Sequence, residues 1–402
     1  MKNILFLTHL YPYPPDDGGR IVTFNTIKEF HNYGYNVILG SFVDNSIQEK
    51  PKMPLELKEI VIPFNYKNSY EKLFKNLFSM IPYNMYKYIN RNMEIELVKI
   101  LKEEKIDLIY IDHLHMAYYA EFLKRNFEEL NIPIVLRQHN VESTIFERAV
   151  QEEKNIIKKM YLKIQHHRLY KYESRVVNQF NEIFTITDDD SDRMLEMNDK
   201  VKISCVPAGV DIEKYKPISN LVKNNKPVIT FLGTMSWLPN INGIEWFLDE
   251  IFPEVLKFNN DIILYIVGKN PPEKLYRYQK KYPHNLVITG FVEDEREYVA
   301  QSDVFIVPLK IGGGMRIKIL NALAMKKAIV TTSIGVEGIK ISSDGICISD
   351  NKQEFVESII NLLQDDNFST EMSEKGYREV ISKYSTEKIL KKHATYLGRI
   401  IN

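Results

Sequence analysis

The chain has 402 residues, of which 44% are hydrophobic and 26% are charged, so its length and composition predict a globular protein of two domains. Its 53 basic and 53 acidic side chains balance, which argues against nucleic acid as a partner. The two cysteines, Cys205 and Cys347, lie far apart and exclude a disulfide-dense secreted scaffold, so we expect a reducing, cytoplasmic compartment.

The amino terminus, MKNILFLTHLYPYPP, contains an apolar run that resembles a signal peptide. The run is interrupted at Thr8 and His9, and no small-residue cleavage site precedes the prolines. We therefore interpret it as a buried first strand. No stretch of the sequence reaches the roughly 18 to 20 apolar residues that span a membrane.

Strand candidates alternate with helical stretches along both halves of the chain. Many of them are continuous apolar runs, which are typical of strands covered on both faces, and the alternation with helices predicts parallel sheets. The predicted strands are 4–8, 37–42, 59–63, 107–111, 134–137, 183–187, 202–206, 228–232, 262–267, 286–289, 304–307, 329–331 and 346–349. The polar, proline-containing stretch 207–227 predicts a linker between a first domain (1–206) and a second (228–384), followed by a terminal helix at 385–402.

A Gly-Gly pair follows the first strand, in the sequence Asp16-Asp17-Gly18-Gly19-Arg20. It is either a simple turn or a loop whose backbone approaches a ligand closely. Its place after a strand of a parallel sheet favours the second interpretation.

The segment 66–92 is basic and rich in aromatic and aliphatic residues. Such a stretch could lie on an anionic membrane surface, or it could form an ordinary pair of helices with lysines in water. Its charged residues are Lys67, Lys72, Lys75, Lys87 and Arg91 against Glu71, and its apolar residues include Leu73, Phe74, Leu77, Phe78, Met80 and Ile81. The following long helical pattern, 145–177, is expected to pack across the first domain.

His113 and His139 follow two predicted strands, in Asp112-His113-Leu114-His115 and in Gln138-His139-Asn140-Val141-Glu142. Polar side chains at the carboxyl ends of parallel strands line the crevice where ligands bind. We therefore treat both as candidates for substrate contact or as structural hydrogen-bonding groups. His115, His166 and His167 are expected to be structural or solvated.

The acidic run Asp188-Asp189-Asp190-Ser191-Asp192 could be a site for a hard divalent cation. It follows a strand and opens a helix, however, where Asp and Ser act as caps and interact favourably with the helix dipole. We predict a helix start here and no metal.

Residues 303–338 are the most informative stretch. An apolar strand is followed by Gly312-Gly313-Gly314, a helical segment at 316–326, a second strand and another glycine turn. Glycines permit close approach of a ligand, and a helix start offers unpaired N–H groups to a phosphate. Arg316 and Lys318 add positive charge at the same place. These features predict an anion-binding crevice.

The order P-x-x-x-G-G-G-x-R-x-K-x-L-x-A-x-A, followed by a strand and T-x-x-G-x-E-G, resembles the donor-nucleotide motif of GT4-type glycosyltransferases, also called glycosyl transferases group 1. The resemblance covers nearly the whole chain. It implies the α/β fold known as GT-B, with two Rossmann-like domains whose parallel sheets face a central cleft. It also implies that the terminal helix packs back on the first domain, and that the function is polysaccharide or glycolipid assembly.

The resemblance assigns roles to residues of both domains. It places Gly18 and Gly19 near the donor phosphates or the acceptor, and His113 and His139 on the acceptor side. Gly233 and Thr234 would lie beneath the donor diphosphate, where many relatives also carry a lysine; here Trp237 and Asn240 follow instead, which leaves the charge to Arg316 and Lys318. The other donor-binding residues implied are Gly268, Phe291, Val292, Gly312, Gly313, Gly314 and Met315, with Phe291 and Val292 reading the nucleobase.

One departure from the family pattern concerns a pair of glutamates, eight positions apart, that contact the donor sugar and the ribose. The matching positions are Gly313 and Asn321. An amide can bind two hydroxyls but lacks the charge that strengthens such bonds. Glu337 is a nearby carboxylate that could compensate, or it could cap the next element.

We therefore predict a retaining glycosyltransferase that moves a sugar from a nucleotide-sugar, most simply a UDP- or GDP-sugar, to a saccharide or lipid-linked acceptor. No cofactor is expected, because the nucleotide-sugar is a co-substrate, and no metal is expected either. Peripheral contact with the inner membrane surface is left open. Two alternatives are a noncatalytic nucleotide-sugar-binding subunit, for which Asn321 argues, and a nucleotide-sugar epimerase of the same fold.

Overall fold

The computed structural model describes residues 2–47, 49–67, 70–76, 79–127, 131–218 and 224–401. Part of the proposed linker (219–223), Leu77 and Phe78 of the basic segment, and the side chains of Lys72 and Leu73 lie outside this description. The chain forms two compact units, Met1–Pro207 with Leu390–Asn402, and Ala208–Ile389.

The first unit contains a seven-stranded parallel sheet in the order β3-β2-β1-β4-β5-β6-β7. β1, β4 and β5 are fully or almost fully buried, as continuous apolar runs require in a sheet covered on both faces. Its strands are β1 (Asn3–Thr8), β2 (Asn36–Asp44), β3 (Lys58–Phe64), β4 (Leu108–Asp112), β5 (Ile134–Gln138), β6 (Glu182–Thr185) and β7 (Ile203–Cys205).

The second unit contains a six-stranded parallel sheet in the order β10-β9-β8-β11-β12-β13. Its strands are β8 (Val228–Leu232), β9 (Ile263–Val267), β10 (Leu286–Gly290), β11 (Val304–Val307), β12 (Ala328–Thr331) and β13 (Cys347–Ile348). A strand lies at each position predicted from the sequence. The prediction of two parallel α/β domains is confirmed.

Helices connect the strands in both units. The first unit has α1 (Gly18–Asn32), α2 (Tyr70–Asn76), α3 (Tyr83–Tyr86), α4 (Arg91–Glu103), α5 (Tyr118–Asn126), α6 (Glu142–Glu152), α7 (Ile156–Val176) and α8 (Asp188–Met197). The second has α9 (Leu238–Trp246), α10 (Phe252–Phe258), α11 (Glu273–Lys281), α12 (Arg296–Gln301), α13 (Ile317–Ala324), α14 (Lys352–Gln364) and α15 (Asp366–Tyr384). Short 3-10 turns lie at Leu114–Met116 and Val177–Gln179, and a π-helical segment at Phe247–Ile251 joins α9 to α10.

The last helix, α16 (Thr386–Ile401), carries the chain from the second unit into the first. Its His393 is fully buried, its ring nitrogen Nε2 lies 3.3 Å from the Tyr110 hydroxyl, and its ring packs edge-on against Phe184. Leu397 is also fully buried. These contacts make the carboxyl-terminal residues part of the first unit's core.

The acidic run forms the start of α8, as predicted. Thr187 is the N-cap and its hydroxyl accepts from the Asp190 N–H at 2.9 Å, while the first three aspartates occupy the first turn. The Asp190 carboxylate accepts from the Thr187 hydroxyl at 2.7 Å and so completes the cap.

The segment 145–177, which we expected to be helical and to pack across the first domain, is helical but only partly packed. It is divided between α6 and α7, and the buried residues of α7 all lie in its second half: Leu169, Tyr172, Glu173 and Val176. None of the described helices is both long and apolar enough to cross a bilayer.

His113 has an unusual backbone conformation, with φ of 72° and ψ of 143°. Side chains with a Cβ are rarely found in this left-handed region, whereas glycine enters it without penalty. His113 directly follows β4, at the edge of the sheet where ligands bind in parallel α/β folds. Local strain of this kind costs about 1–3 kcal/mol and tends to be kept at functional sites.

We therefore expect His113→Gly to be more stable than His113→Ala, by about 1–2 kcal/mol, because both remove the imidazole and only alanine retains the strain. Unfolding by urea measures the difference. The same pair at Lys99, on the exposed face of α4, is the control and should show the opposite order by about 1 kcal/mol. An alanine variant at His113 as stable as the glycine variant would contradict the strain.

Candidate active site

Glycine turns form the carboxyl edge of the second unit's sheet. The Gly233 N–H donates to the Val267 carbonyl at 2.9 Å, and the Gly268 N–H donates to the Gly290 carbonyl at 3.1 Å, so the turns after β8, β9 and β10 lie side by side. Gly268 has φ of 146°, and a Cβ built there would lie 1.9 Å from the Gly233 carbonyl oxygen. Only glycine therefore fits at Gly268, which lets the turn after β9 pack closely against the turn after β8. Phe291 and Val292 follow β10, and the Phe291 side chain is 64% exposed.

Arg316 stabilises the Gly312–314 turn from inside. Its side chain is buried, and its Nη1 donates to the carbonyls of Gly313 and Gly314. The Trp237 ring centroid lies 5.7 Å from the guanidinium carbon, within cation–π range. The sequence predicted a cation directed at a phosphate; in the structure the guanidinium bonds to carbonyls of the turn itself. Met315, beside it, is half-buried.

Lys318 lies in the first turn of α13 and points at the end of β8. Its Nζ donates to the Leu232 carbonyl at 2.7 Å and to Asn240 Oδ1 at 2.8 Å. The Asn240 amide Nδ2 in turn donates to the Thr234 carbonyl at 2.9 Å. An ammonium group has three N–H donors, so these two bonds leave one for a ligand. Burial, reinforced by the charge of Arg316, lowers the pKa of Lys318 to about 7.

Asn321 and Glu337 are the other polar candidates of the second unit. Asn321 is buried on α13, and its side chain makes no hydrogen bond with another residue that the structure describes. Glu337 is half-buried in the turn that follows β12. A buried amide with unused donors and acceptors suits a ligand with hydroxyl groups.

Four histidines gather at the carboxyl edge of the first unit's sheet: His9, His113, His115 and His139. We call them the histidine cluster. The His113 and His139 rings stack at 3.6 Å, and the His9 and His115 rings stack at 4.4 Å. Burial lowers the pKa of His115 to about 3 and that of His113 well below its ordinary value, so both rings are neutral at pH 7. His9 and His115 were not predicted as site residues.

Asp112 organises this cluster from below. Its fully buried carboxylate accepts from the Thr23 hydroxyl at 2.6 Å and lies 2.8 Å from His139 Nε2. Burial alone would raise the pKa of Asp112, but the neighbouring histidines and these hydrogen bonds hold it well below the usual range. Asp112 is therefore a carboxylate that can accept from Nε2–H of His139 and so orient its ring. The sequence placed Asp112 at a strand end, but it gave no sign of the bond to Thr23.

The Gly-Gly turn of the first unit lies next to this cluster. Gly18 is the first residue of α1, and a Cβ built at Gly19 would lie 3.8 Å from His113 Nε2. Arg20 braces the turn: its Nε donates to the Tyr11 carbonyl at 3.1 Å, and its Nη1 contacts the carboxylates of Asp16 and Asp17, each at 2.9 Å. The structure thus brings Gly19 and His113 together, as their positions after β1 and β4 indicate.

Buried carboxylates lie behind His139. Glu173, fully buried on α7, accepts from Gln138 Nε2 at 2.7 Å, from Ser143 Oγ at 2.6 Å and from the first N–H groups of α6. Burial and the charge of Glu173 raise the pKa of Glu142 to about 8. Burial also raises the pKa of Glu173 to about 7, so a proton on this pair of glutamates is favoured near neutral pH. Neither glutamate was predicted as a site residue.

Two groups of side chains in the histidine cluster have ligand atoms within 4.8 Å of one another: His9, His113 and His115, and Asp112, His113 and His139. A metal ion needs in-plane lone pairs that converge on one point. The His113–His139 pair and the His9–His115 pair stack with interplanar angles of 18° and 15°, so the paired rings present their edges side by side. This geometry favours hydrogen bonding to a polar ligand.

Two family models match this chain, one in each half. The family model described as "Glycosyltransferase Family 4" matches residues 17–214, and the model described as "Glycosyl transferases group 1" matches residues 226–365. The first therefore covers Gly18, Gly19 and three members of the histidine cluster, His113, His115 and His139, and the second covers the glycine turns with Arg316 and Lys318. Together they span most of the chain.

Two curated proteins of similar length also match. An uncharacterised 44.6 kDa protein in the cps region of Klebsiella pneumoniae is 24% identical over 97% of this chain and 98% of its own length. The UDP-Gal:alpha-D-GlcNAc-diphosphoundecaprenol alpha-1,3-galactosyltransferase of Escherichia coli is 26% identical over 77% of this chain and 79% of its own.

Solved structures show the same fold. Sucrose-phosphate synthase from Thermosynechococcus elongatus superposes with a TM-score of 0.77 at 12% identity, over 100% of this chain and 99% of its own. HepE from Anabaena, solved in complex with UDP, superposes with a TM-score of 0.71 at 13% identity, over 99% of this chain and 100% of its own. At these identities the likeness to solved structures shows the fold alone. The family is shown by the family models and the curated relatives. The chain belongs to the GT4-type glycosyltransferases and is a glycosyltransferase of GT-B fold.

Proposed function

We propose that the second unit binds a nucleotide-sugar donor, most simply a UDP-sugar, and that the first unit binds the acceptor, a saccharide or a lipid-linked saccharide. The observation that carries the donor assignment is the pair of cations, Arg316 and Lys318, at the glycine-lined edge of the sheet. Backbone N–H groups at such an edge, together with fixed cations, suit a diphosphate. HepE, solved with UDP and with UDP-glucose, shares the fold.

Transfer would proceed with the diphosphate as leaving group. Its departure builds negative charge, which Lys318 and the amides of the glycine turn would stabilise without reorganisation because the protein already holds them in place. The reaction is independent of a metal ion if Lys318 and the amides of the glycine turn compensate all the charge of the leaving diphosphate. The sequence offers no evident covalent nucleophile, so we infer front-face displacement with retention, in which the acceptor hydroxyl passes its proton to the departing phosphate oxygen.

The histidine cluster would bind sugar hydroxyls. Neutral imidazoles donate and accept hydrogen bonds, and His113 is held in one orientation by its stack on His139 and by the backbone after β4. Asp112 acts through His139, whose Nε2–H it accepts, so we assign it a positioning role.

Nucleoside recognition is assigned to the turn after β10 and to α13. The exposed Phe291 and the adjacent Val292 backbone would contact the base, and the buried amide of Asn321 would bind the ribose. Glu337, in the turn after β12, is the carboxylate that could compensate for the missing glutamate. The name of the Escherichia coli relative specifies a UDP-sugar and a diphosphoundecaprenol-linked acceptor. By analogy a polyprenyl-diphosphate acceptor is the first to test here, with contact at the inner membrane surface and a role in polysaccharide assembly.

Lys318→Met should lower kcat/KM for transfer by about 10²–10³-fold, because it removes a fixed charge from the leaving diphosphate while keeping the shape of the side chain. Release of nucleoside diphosphate in the presence of acceptor measures the effect. Lys326→Met is the matched control, since Lys326 lies just after the same helix and pairs with Glu374. Wild-type kinetics for Lys318→Met would contradict the assignment of the diphosphate to this position.

Donor binding should take up protons above neutral pH. With its pKa lowered to about 7, Lys318 is largely neutral in the free protein at pH 8. A bound diphosphate favours the ammonium form and raises that pKa, so the lysine gains a proton on binding and donor affinity falls as pH rises above 7. Calorimetry at pH 8 in buffers of different ionisation enthalpy measures the uptake. Equal enthalpies in all buffers, or uptake that persists in Lys318→Met, would contradict the assignment.

A further inference from the structure

Five large apolar side chains at the start of α7 are exposed to solvent. Their exposed fractions are 82% for Ile156, 78% for Ile157, 62% for Met160, 51% for Tyr161 and 49% for Ile164. We call these five residues the α7 stripe. Single exposed apolar residues are ordinary on protein surfaces, but a contiguous group of this size marks an interaction surface.

The stripe occupies one side of the helix. At 3.6 residues per turn its members fall within an arc of roughly 140°. The opposite side faces the protein: Leu169 is buried, Leu162 is half-buried, and His166 Nδ1 donates to the Ser143 carbonyl of α6 at 3.0 Å. The helix is therefore apolar on two opposite faces, and α6 covers only one of them.

Positive charges border the stripe. Between Lys154 and Arg168 the sequence contains five basic residues and no acidic one: Lys154, Lys158, Lys159, Lys163 and Arg168. On a helical projection Lys163 falls beside one edge of the stripe, and Lys159 and Lys158 fall about 60° beyond its two edges, one on each side. Lys158 also pairs with Glu153, just before the helix, at 2.5 Å. Long lysine side chains beside an apolar stripe can extend toward lipid headgroups while the stripe enters the interface.

We propose that the α7 stripe binds the surface of an anionic lipid bilayer, with α7 lying in the plane of the interface. The stripe extends for about 12 Å along the helix axis, enough to enter the interface and too short to span a bilayer. Apolar residues bordered by lysines match the two components of such binding, which are burial of apolar area and attraction to anionic headgroups.

A second copy of this chain is a less suitable occupant. In a two-fold dimer the stripe would meet itself, and the same lysines would approach their own copies at the rim of the interface. Like charges that approach each other oppose such a contact, whereas an anionic headgroup region attracts all of them.

This assignment rests on the proposed function only in that a lipid-linked acceptor would be found at such a surface. Vesicle binding requires neither donor nor turnover. Loss of vesicle binding in a variant that retains nucleotide binding therefore tests the stripe, while loss of nucleotide binding tests the proposed function separately.

The test is flotation of the full chain with vesicles of phosphatidylcholine alone and with about 30 mol% phosphatidylglycerol. The wild type should bind the anionic vesicles, and less so at high salt. The combined variant Ile156→Ser, Ile157→Ser, Met160→Ser should lower the partition coefficient at least about tenfold, and Lys159→Gln with Lys163→Gln should reduce the preference for anionic vesicles. The matched control is Phe74→Ser with Met80→Ser, in the basic segment 66–92, whose side chains are 64% and 70% exposed.

The proposal requires that the control variant binds vesicles like the wild type. It is overturned if the wild type does not float with anionic vesicles, if the α7 variant floats unchanged, or if only the Phe74 and Met80 variant loses binding. It is also overturned if the wild type is dimeric and the α7 variant is monomeric, since the stripe would then be covered by a second copy. Because the substituted side chains are exposed, or in the case of Lys159 half-exposed, the unfolding temperature should be nearly unchanged, which checks that each variant is folded.

Discussion

The Lys318 ammonium group donates to the Leu232 carbonyl and to the Asn240 side chain, so a cation is held at the point where β8 ends and α13 begins. Burying a charge is costly, and the lowered pKa of Lys318, about 7, reflects that cost. The two hydrogen bonds offset part of it and leave one donor for a ligand. Other residues of the second unit shape the same edge of its sheet. Arg316 bonds to carbonyls of the Gly312–314 turn, and Gly268 lets the turn after β9 pack closely against the turn after β8. The site is thus built mainly from backbone atoms and two fixed cations.

At the equivalent edge of its sheet, the first unit differs from the second in the sign of its buried charge. Here the buried charge is the Asp112 carboxylate, and Thr23 and His139 satisfy it. His113 stacks on His139 and takes a strained backbone conformation, which fixes the position of its ring. One unit therefore presents fixed positive charge and the other presents neutral hydrogen-bonding rings. That division suits a reaction in which a diphosphate leaves and a hydroxyl group arrives.

The strands could be predicted from the sequence because a strand buried on both faces of a parallel sheet is a continuous apolar run, as in 304–307 and 228–232. The glycine turns and their cations were found because their spacing is local. Partners distant in sequence could not be found: Asn240 lies 78 residues from Lys318, and Thr23 lies 89 residues from Asp112. The exposed side of α7 was missed for another reason. A helix that is apolar on two opposite faces gives no single hydrophobic side, so its pattern resembles that of a packed helix.

The central claim is that the second unit holds a nucleotide-sugar through protein groups alone. The most direct measurement is the unfolding temperature of the protein with UDP-, GDP-, ADP- and CDP-sugars, each with and without EDTA. A ligand at 100 times its Kd stabilises the folded state by about 2.7 kcal/mol, which is readily detected. The account predicts stabilisation by one nucleotide class, unchanged by EDTA. Stabilisation that EDTA abolishes, or none from any nucleotide-sugar, would contradict it.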